Sequence, residues 1–307
     1  MATRWAKNID SDLFTFVVGP EGKEFTIHSG AVLHLSPYFE ALIHGSMKEA
    51  RDRRVVWDDI DEETFVTFCQ FAYAGHYDTP EYPAFPPELE KNEVAKSSDP
   101  ISSQMIELAK SSYTFRSHTF DLFCSSPKRT ILEWEQDFRA KLDEKQKVET
   151  AVYCILKDFV ELPCGRSYRY TIEPNISARS FLLHAKLYIL ADRYCIDTLK
   201  DMAIGRLHRT LLLVPLDLYA SDCFCELVRF AYANTRPTED LDQDDLRCLL
   251  VAFGACVFDW FLHNSAFKDV LRDHGEFGLG IIIKLSPLQD KAYRTHLKRV
   301  EVKVRSS

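Results

Sequence analysis

What the chain lacks narrows the field first. None of its apolar runs is long enough to span a bilayer, and the longest candidate, Leu249 to Leu262, is interrupted by Asp259. The opening residues, Met-Ala-Thr-Arg-Trp-Ala-Lys-Asn, hold no apolar core of a signal peptide. Basic charge is in deficit: 38 Lys and Arg stand against 46 Asp and Glu, for a net charge of −8, so the chain as a whole offers phosphates no basic face. Paired cysteines are missing as well. Nine are scattered at 69, 124, 154, 164, 195, 223, 225, 248 and 256, an odd number with no CxxC, which reads as buried free thiols in a reducing compartment, cytoplasmic or nuclear. The closest two, Cys223 and Cys225, have no histidine near them, whereas a zinc site wants paired ligands with about two to four residues between them, twice over, so no metal is expected. No GxSxG, HExxH, P-loop or GxGxxG pattern occurs, and the glycines of Gly275-Glu-Phe-Gly-Leu-Gly280 come in the wrong order for a dinucleotide loop. His184 and Cys195 could meet in space as a nucleophilic pair, but both sit in a segment whose apolar stripe reads as core. No internal repeat is visible, which excludes kelch and ankyrin arrays. The expectation is a protein without enzymatic activity or cofactor.

What is present is an ordinary globular composition, 46% hydrophobic and 27% charged, organised around Asp12 to Tyr77. The run Asp12-Leu-Phe-Thr-Phe-Val-Val18, the turn Gly19-Pro-Glu-Gly22 and the run Lys23-Glu-Phe-Thr-Ile-His28 read as a β-hairpin. Ser36 is placed as an N-cap with Pro37 at the first helical position. A charged stretch then delivers a short strand, Arg54-Val-Val-Trp57. Asp61 starts a helix with Glu62 and Glu63 in its first turn, where the helix dipole favours carboxylates, and Gly75 ends it. Phe65, Phe68, Cys69 and Ala72 recur at i, i+3, i+4 and i+7, which is one buried stripe.

The hairpin with His28 at its end, Ser36-Pro-Tyr-Phe39, Met47-Lys-Glu49 and Phe71-Ala-Tyr-Ala-Gly75, in that order over about 65 residues, resemble a BTB/POZ domain. The flanks and C-terminal half look like those of the fungal stand-alone BTB proteins. The resemblance implies an α+β chain: a BTB/POZ fold, a small sheet flanked by helices, interrupted by a long insertion and followed by an α-helical extension. It also implies a protein–protein interaction module. In BTB adaptors of cullin-based ubiquitin ligases a hydrophobic residue, any residue and a glutamate stand where Met47, Lys48 and Glu49 stand here, and contribute to docking. Met47 and Glu49 are therefore the candidate protein-binding residues. The expected partners are proteins: a cullin scaffold, or a second copy of the chain in a homodimer, with no nucleic acid and no membrane. The alternative is a self-associating scaffold or transcription-related interaction protein with no ubiquitin role. Many dimeric BTB proteins exchange a long N-terminal helix, for which residues 1–10 are too few. Repressor-type domains carry an aspartate in the first strand and a basic residue after the hairpin histidine. Asp12 fits the first, but Ser29 stands at the second, so a charged co-repressor pocket is not expected. His28 matches a packing residue of the family.

The first part of the domain is assigned to 1–77 and an insertion to 78–176. Five prolines fall at 80, 83, 86, 87 and 100, so 78–103 is read as disordered or extended, and as the stretch where a protease would cut first. A weak helix around Met105 to Ala109, a short aromatic stretch over 115–123, an amphipathic helix over 130–146 and a strand over Tyr168 to Ile172 are expected. Val148 to Val160 either continues the 130–146 helix or forms a strand. Residues 177–214 read as two helices joined near Cys195. Ile196, Leu199, Ala203 and Leu207 lie along the second, and Pro215 stops it. By resemblance this is the closing helical hairpin of the BTB fold. A helical extension, 215–285, includes apolar helices over Cys225–Tyr232 and Leu246–Leu262 around an acidic turn at 238–245. The tail, 286–307, carries six Lys and Arg against two acids and reads as mobile.

Overall fold

The structure is a computed structural model, and it describes residues 4–80, 130–141, 151–163, 177–236 and 244–286. The readings for 81–129, Tyr168–Ile172, 142–150, 238–243 and 287–307 lie outside the described residues.

The hairpin forms as expected. Strand β1, Leu13–Val18, pairs antiparallel with β2, Lys23–His28, in the register Leu13↔His28 to Val18↔Lys23. Gly19 and Gly22 turn the chain in the left-handed region, with φ of 74° and 66°, where a side chain would be strained. Strand β3, Arg54–Trp57, lies parallel to β1 on its other side, giving the order β2-β1-β3. A parallel neighbour needs a long crossover. Three short helices supply it: α2 (Ser29–Leu33), α3 (Pro37–His44) and α4 (Lys48–Asp52), with α1 (Arg4–Ile9) preceding the sheet.

Helix α5, Glu62–Ala74, is capped as expected: Thr64 N–H and Thr64 Oγ1 both donate to the Asp61 carboxylate, at 3.0 and 2.8 Å, and Gly75 ends the helix at φ 79°. Its Phe65, Phe68, Phe71 and Ala72 are buried, while Cys69 is only partly covered in side-chain area. They meet Phe16, Phe39 and Trp57, with Phe16–Trp57 ring centroids 4.9 Å apart and Phe16–Phe65 5.2 Å. The expected cap at Ser36 differs in detail. Ser36 takes the N-cap position in extended conformation with Pro37 at N1, but its hydroxyl makes no capping bond and is buried without a partner. The rigid proline sets the helix start at a position where the serine has been drawn into the core.

Helices α6 (Ile131–Lys141) and α7 (Ala151–Val160) follow. The second settles the ambiguity over 148–160 in favour of a helix for its described part. Leu156 and Phe159 are fully buried, and Phe159 presents its carbonyl to His208 Nε2 at 2.8 Å. Helix α8 (Ser180–Arg193) and helix α9 (Asp197–Leu213) form a helical hairpin around Tyr194, Cys195 and Ile196. Cys195 is in the left-handed region at φ 55°, which makes this turn tight enough for Ile196 N–H to reach the Ala191 carbonyl at 2.8 Å. Ile196, Leu199, Ala203 and Leu207 are fully buried.

Beyond Pro215 come α10 (Leu218–Asn234), α11 (Asp245–Phe261), α12 (Ser265–Asp273) and α13 (residues 275–286). Asp217, Asp244 and Asn264 cap the first three through their side chains. Phe224 is the hub of this part, with ring centroids 4.8 Å from Phe253, 6.0 Å from Phe261 and 6.1 Å from Phe277. Helix α10 is longer than the apolar run Cys225–Tyr232 implied, because its first turn is set by the Asp217 cap. The stretch Gly275–Gly280 is helical, since Phe277 and Ile281 must pack closely over Gly254, where any side chain would collide with them at under 3 Å. Arg247, though buried, is satisfied by Thr235 Oγ1 and carbonyl at 2.7 and 2.9 Å and by Glu276 at 2.6 Å.

Candidate protein-interaction surface

The segment between α3 and β3 presents Met47 and Glu49. Helix α3 ends at Gly45, whose N–H bonds to the Ala41 carbonyl at 2.9 Å; a Cβ at Gly45 would lie 2.2 Å from that same oxygen. Only glycine lets the chain leave the helix this closely. Met47 then occupies the N-cap of α4 in extended conformation, with 73% of its surface exposed. The polar loop read from the sequence is thus a five-residue helix, with Glu49 in its first turn. None of its residues is buried. Arg53, left-handed at φ 49°, closes it and pairs with Asp12 at 2.9 Å. Glu49 is half-buried, and its carboxylate reaches the electrostatic neighbourhood of Tyr38 on α3. Burial raises the Tyr38 phenol above its ordinary range, and the Glu49 charge pushes it the same way.

A flexible apolar side chain standing in water has no role in this core. Other large apolar side chains are exposed on the N-terminal flank: Trp5, Ile9 and Leu13 at 55%, 60% and 53%. The first two escape a reading of the sequence because a six-residue helix carries too little periodicity to show a face.

The remaining candidates are structural. His28 packs edge-on against Tyr73, whose hydroxyl lies 2.9 Å from its Nδ1 and accepts from its backbone N–H. His184 and Cys195 are eleven residues apart on and just beyond one helix, a separation of about 16 Å along its axis. The first is buried and the second exposed. Among the described residues no group of His, Cys, Asp and Glu could hold a metal ion, and no helix is long and apolar enough to cross a membrane.

With this geometry in place, comparison with known families matches the chain to the model of the BTB/POZ domain over residues 7–85. The chain carries a BTB/POZ domain. No solved structure matches it. A BTB domain is a protein–protein interaction module, and the three-stranded sheet with α2 to α5 is this one's framework. The match covers Met47 and Glu49 but stops well before α8.

The helical hairpin nevertheless packs against BTB residues. Tyr194 stacks on Trp57 with ring centroids 4.4 Å apart at 10°, and lies 4.7 Å from Tyr38. Arg193 pairs with Asp59, and Lys186 with Asp61 at 2.9 Å. Tyr77, fully buried just beyond α5, places its hydroxyl 2.9 Å from His184 Nδ1, while the Arg206 guanidinium lies 4.1 Å over its ring.

Burial, with the Arg206 charge adding to it, pulls His184 down to about 3. Unfolded histidine titrates near 6.5, so above that pH the residue is neutral in both states and costs nothing. Below it the unfolded chain takes up a proton that the folded one refuses until about pH 3, and stability falls across that window. This one group is expected to cost about 2 kcal/mol between pH 7 and pH 5. Urea unfolding of the wild type and of His184→Gln at both pH values checks it. The wild type should lose more than the variant by that amount, and equal losses would remove His184 as the cause.

Proposed function

We propose that this chain is an adaptor in which the BTB domain docks on a cullin scaffold through Met47 and Glu49. In this reading 177–214 is the closing hairpin of the BTB fold, 78–176 is an insertion into it, and the insertion or the helices over 215–285 hold a client. The observation that carries the docking site is Met47, the most exposed large apolar side chain among the described residues, standing at the start of a helix that buries nothing. The contacts of Tyr194, Lys186, Arg193 and His184 with residues 38–77 support the split-domain reading, because they make one core from two distant stretches. The test is titration of the purified chain against a cullin N-terminal region. No detectable binding ends the adaptor reading.

A second reading, self-association without a ubiquitin role, is favoured by Trp5, Ile9 and Leu13. Three large apolar side chains, each more than half exposed on one flank, are what an interface between copies uses. Sedimentation equilibrium of the full chain should then show a dimer that dissociates in Ile9→Asp. A monomer at every concentration would count against it.

A further inference from the structure

We infer that Tyr194, more than a hundred residues beyond the matched BTB segment, is a positioning residue for the Met47–Glu49 surface. The inference rests on the proposed docking role of that surface. It starts from the fact that α4 has little hold of its own: none of its five residues is buried, and the ion pair of its C-cap, Arg53 with Asp12, is exposed on both sides. Such a pair contributes little in water. The tie of α4 to the sheet is at that cap, where Thr15 N–H donates to the Arg53 carbonyl at 2.9 Å. The orientation of Met47 is therefore set by what holds the two flanks of α4. These are α3, which ends at Gly45, and β3, which begins at Arg54.

One ring grips both. Tyr194 lies flat against Trp57, the last residue of β3, and tilts against Tyr38 in the first turn of α3. It also lies 6.1 Å from Phe39. Tyr38 in turn is the α3 side chain whose phenol feels the Glu49 charge, and α3 itself packs against α4. Tyr194 itself cannot wander. It is the C-cap of α8, its N–H bonds to the Leu190 carbonyl at 3.1 Å, and Cys195 at φ 55° forces the chain away immediately after it. Arg193, one residue earlier, is tied to Asp59 just past β3. Tight packing transmits displacement instead of absorbing it. A shift of the hairpin is thus passed to both ends of α4 at once.

The test reads local opening separately from binding. Amide hydrogen exchange over residues 45–57 is measured in the full chain for wild type, Tyr194→Phe, Tyr194→Leu and Tyr38→Ala. Leucine keeps apolar volume at the buried site but removes the stacking plane. Tyr38→Ala removes the α3 ring that Tyr194 tilts against, so the question survives if one variant folds poorly. Exchange over 45–57 should rise roughly tenfold or more in Tyr194→Leu and Tyr38→Ala, the worth of the aromatic pairs lost, and stay near wild type in Tyr194→Phe. Helices α10 and α11 should be unchanged. Unchanged exchange over 45–57, or a rise spread evenly through the chain, overturns the positioning role. If the local rise occurs and no variant, nor the wild type, binds a cullin N-terminal region, the positioning role stands and the partner is wrong.

Discussion

Met47→Asp is expected to abolish binding to a cullin N-terminal region while leaving the circular dichroism and melting temperature near those of wild type. The two halves of that expectation have separate causes. Binding falls because a charge would have to be desolvated where an apolar contact is proposed. Losing about 3 kcal/mol from a central contact weakens association more than a hundredfold. Folding is spared because Met47 is 73% exposed and caps a helix in which no residue is buried, so there is little native packing to lose. Glu49→Ala should weaken binding less, since a carboxylate at the rim of a contact contributes modestly in water. Titration of the three proteins against the same cullin fragment measures this. Equal binding by Met47→Asp and wild type would keep the partner and move the site elsewhere.

Leu207→Ala and Leu199→Ala are each expected to destabilise the whole fold by about 2–5 kcal/mol. Both side chains are fully buried on α9, which packs along its length on α8 and also meets α6 and α11. Truncation removes apolar area and leaves a cavity that rigid helices on several sides cannot close. The loss should be felt at the sheet as well, because α8 and its C-cap carry the residues that meet Tyr38, Trp57 and Tyr77. Denaturant unfolding followed by tryptophan fluorescence, to which buried Trp57 contributes, should therefore shift with the helical signal followed by circular dichroism. Two separated transitions would show that α8–α9 and the sheet are independent, and the split-domain reading would fail.

Much of the β-rich part is legible in the order of its residues. The glycines at 19 and 22, the Asp61 cap and Gly75 act through their own backbone or their nearest neighbours, so local chemistry is enough to place them. The stripe of α5 is legible for the same reason, although Cys69 is mostly but not fully covered and Phe71, outside the expected stripe, is buried. Burial of the Cys69 thiol still pushes it up to about 12, which keeps it protonated and inert. Met47 and Glu49 stand out only through the family resemblance. Nothing in their spacing says that α4 would be a helix with no buried residue, because a five-residue segment has too few turns to show a face.

The sequence alone determined the elements: two strands about a tight turn, capped helices, an apolar helical hairpin within 177–214, and a composition suited to a globular protein. Each is a short-range consequence of dihedral preference, capping or period. Only the tertiary structure decided that α7 is a helix, that Gly275–Gly280 is one too, and that Ser36 leaves its cap unused. It alone brought Tyr194 onto Trp57 and His184 onto Tyr77, pairs separated by more than a hundred residues. The physical reason is common to all of these. Periodicity and capping describe one segment at a time, whereas an ambiguous segment, an unused hydroxyl or a stacked ring takes its state from the partner surface that excludes water around it.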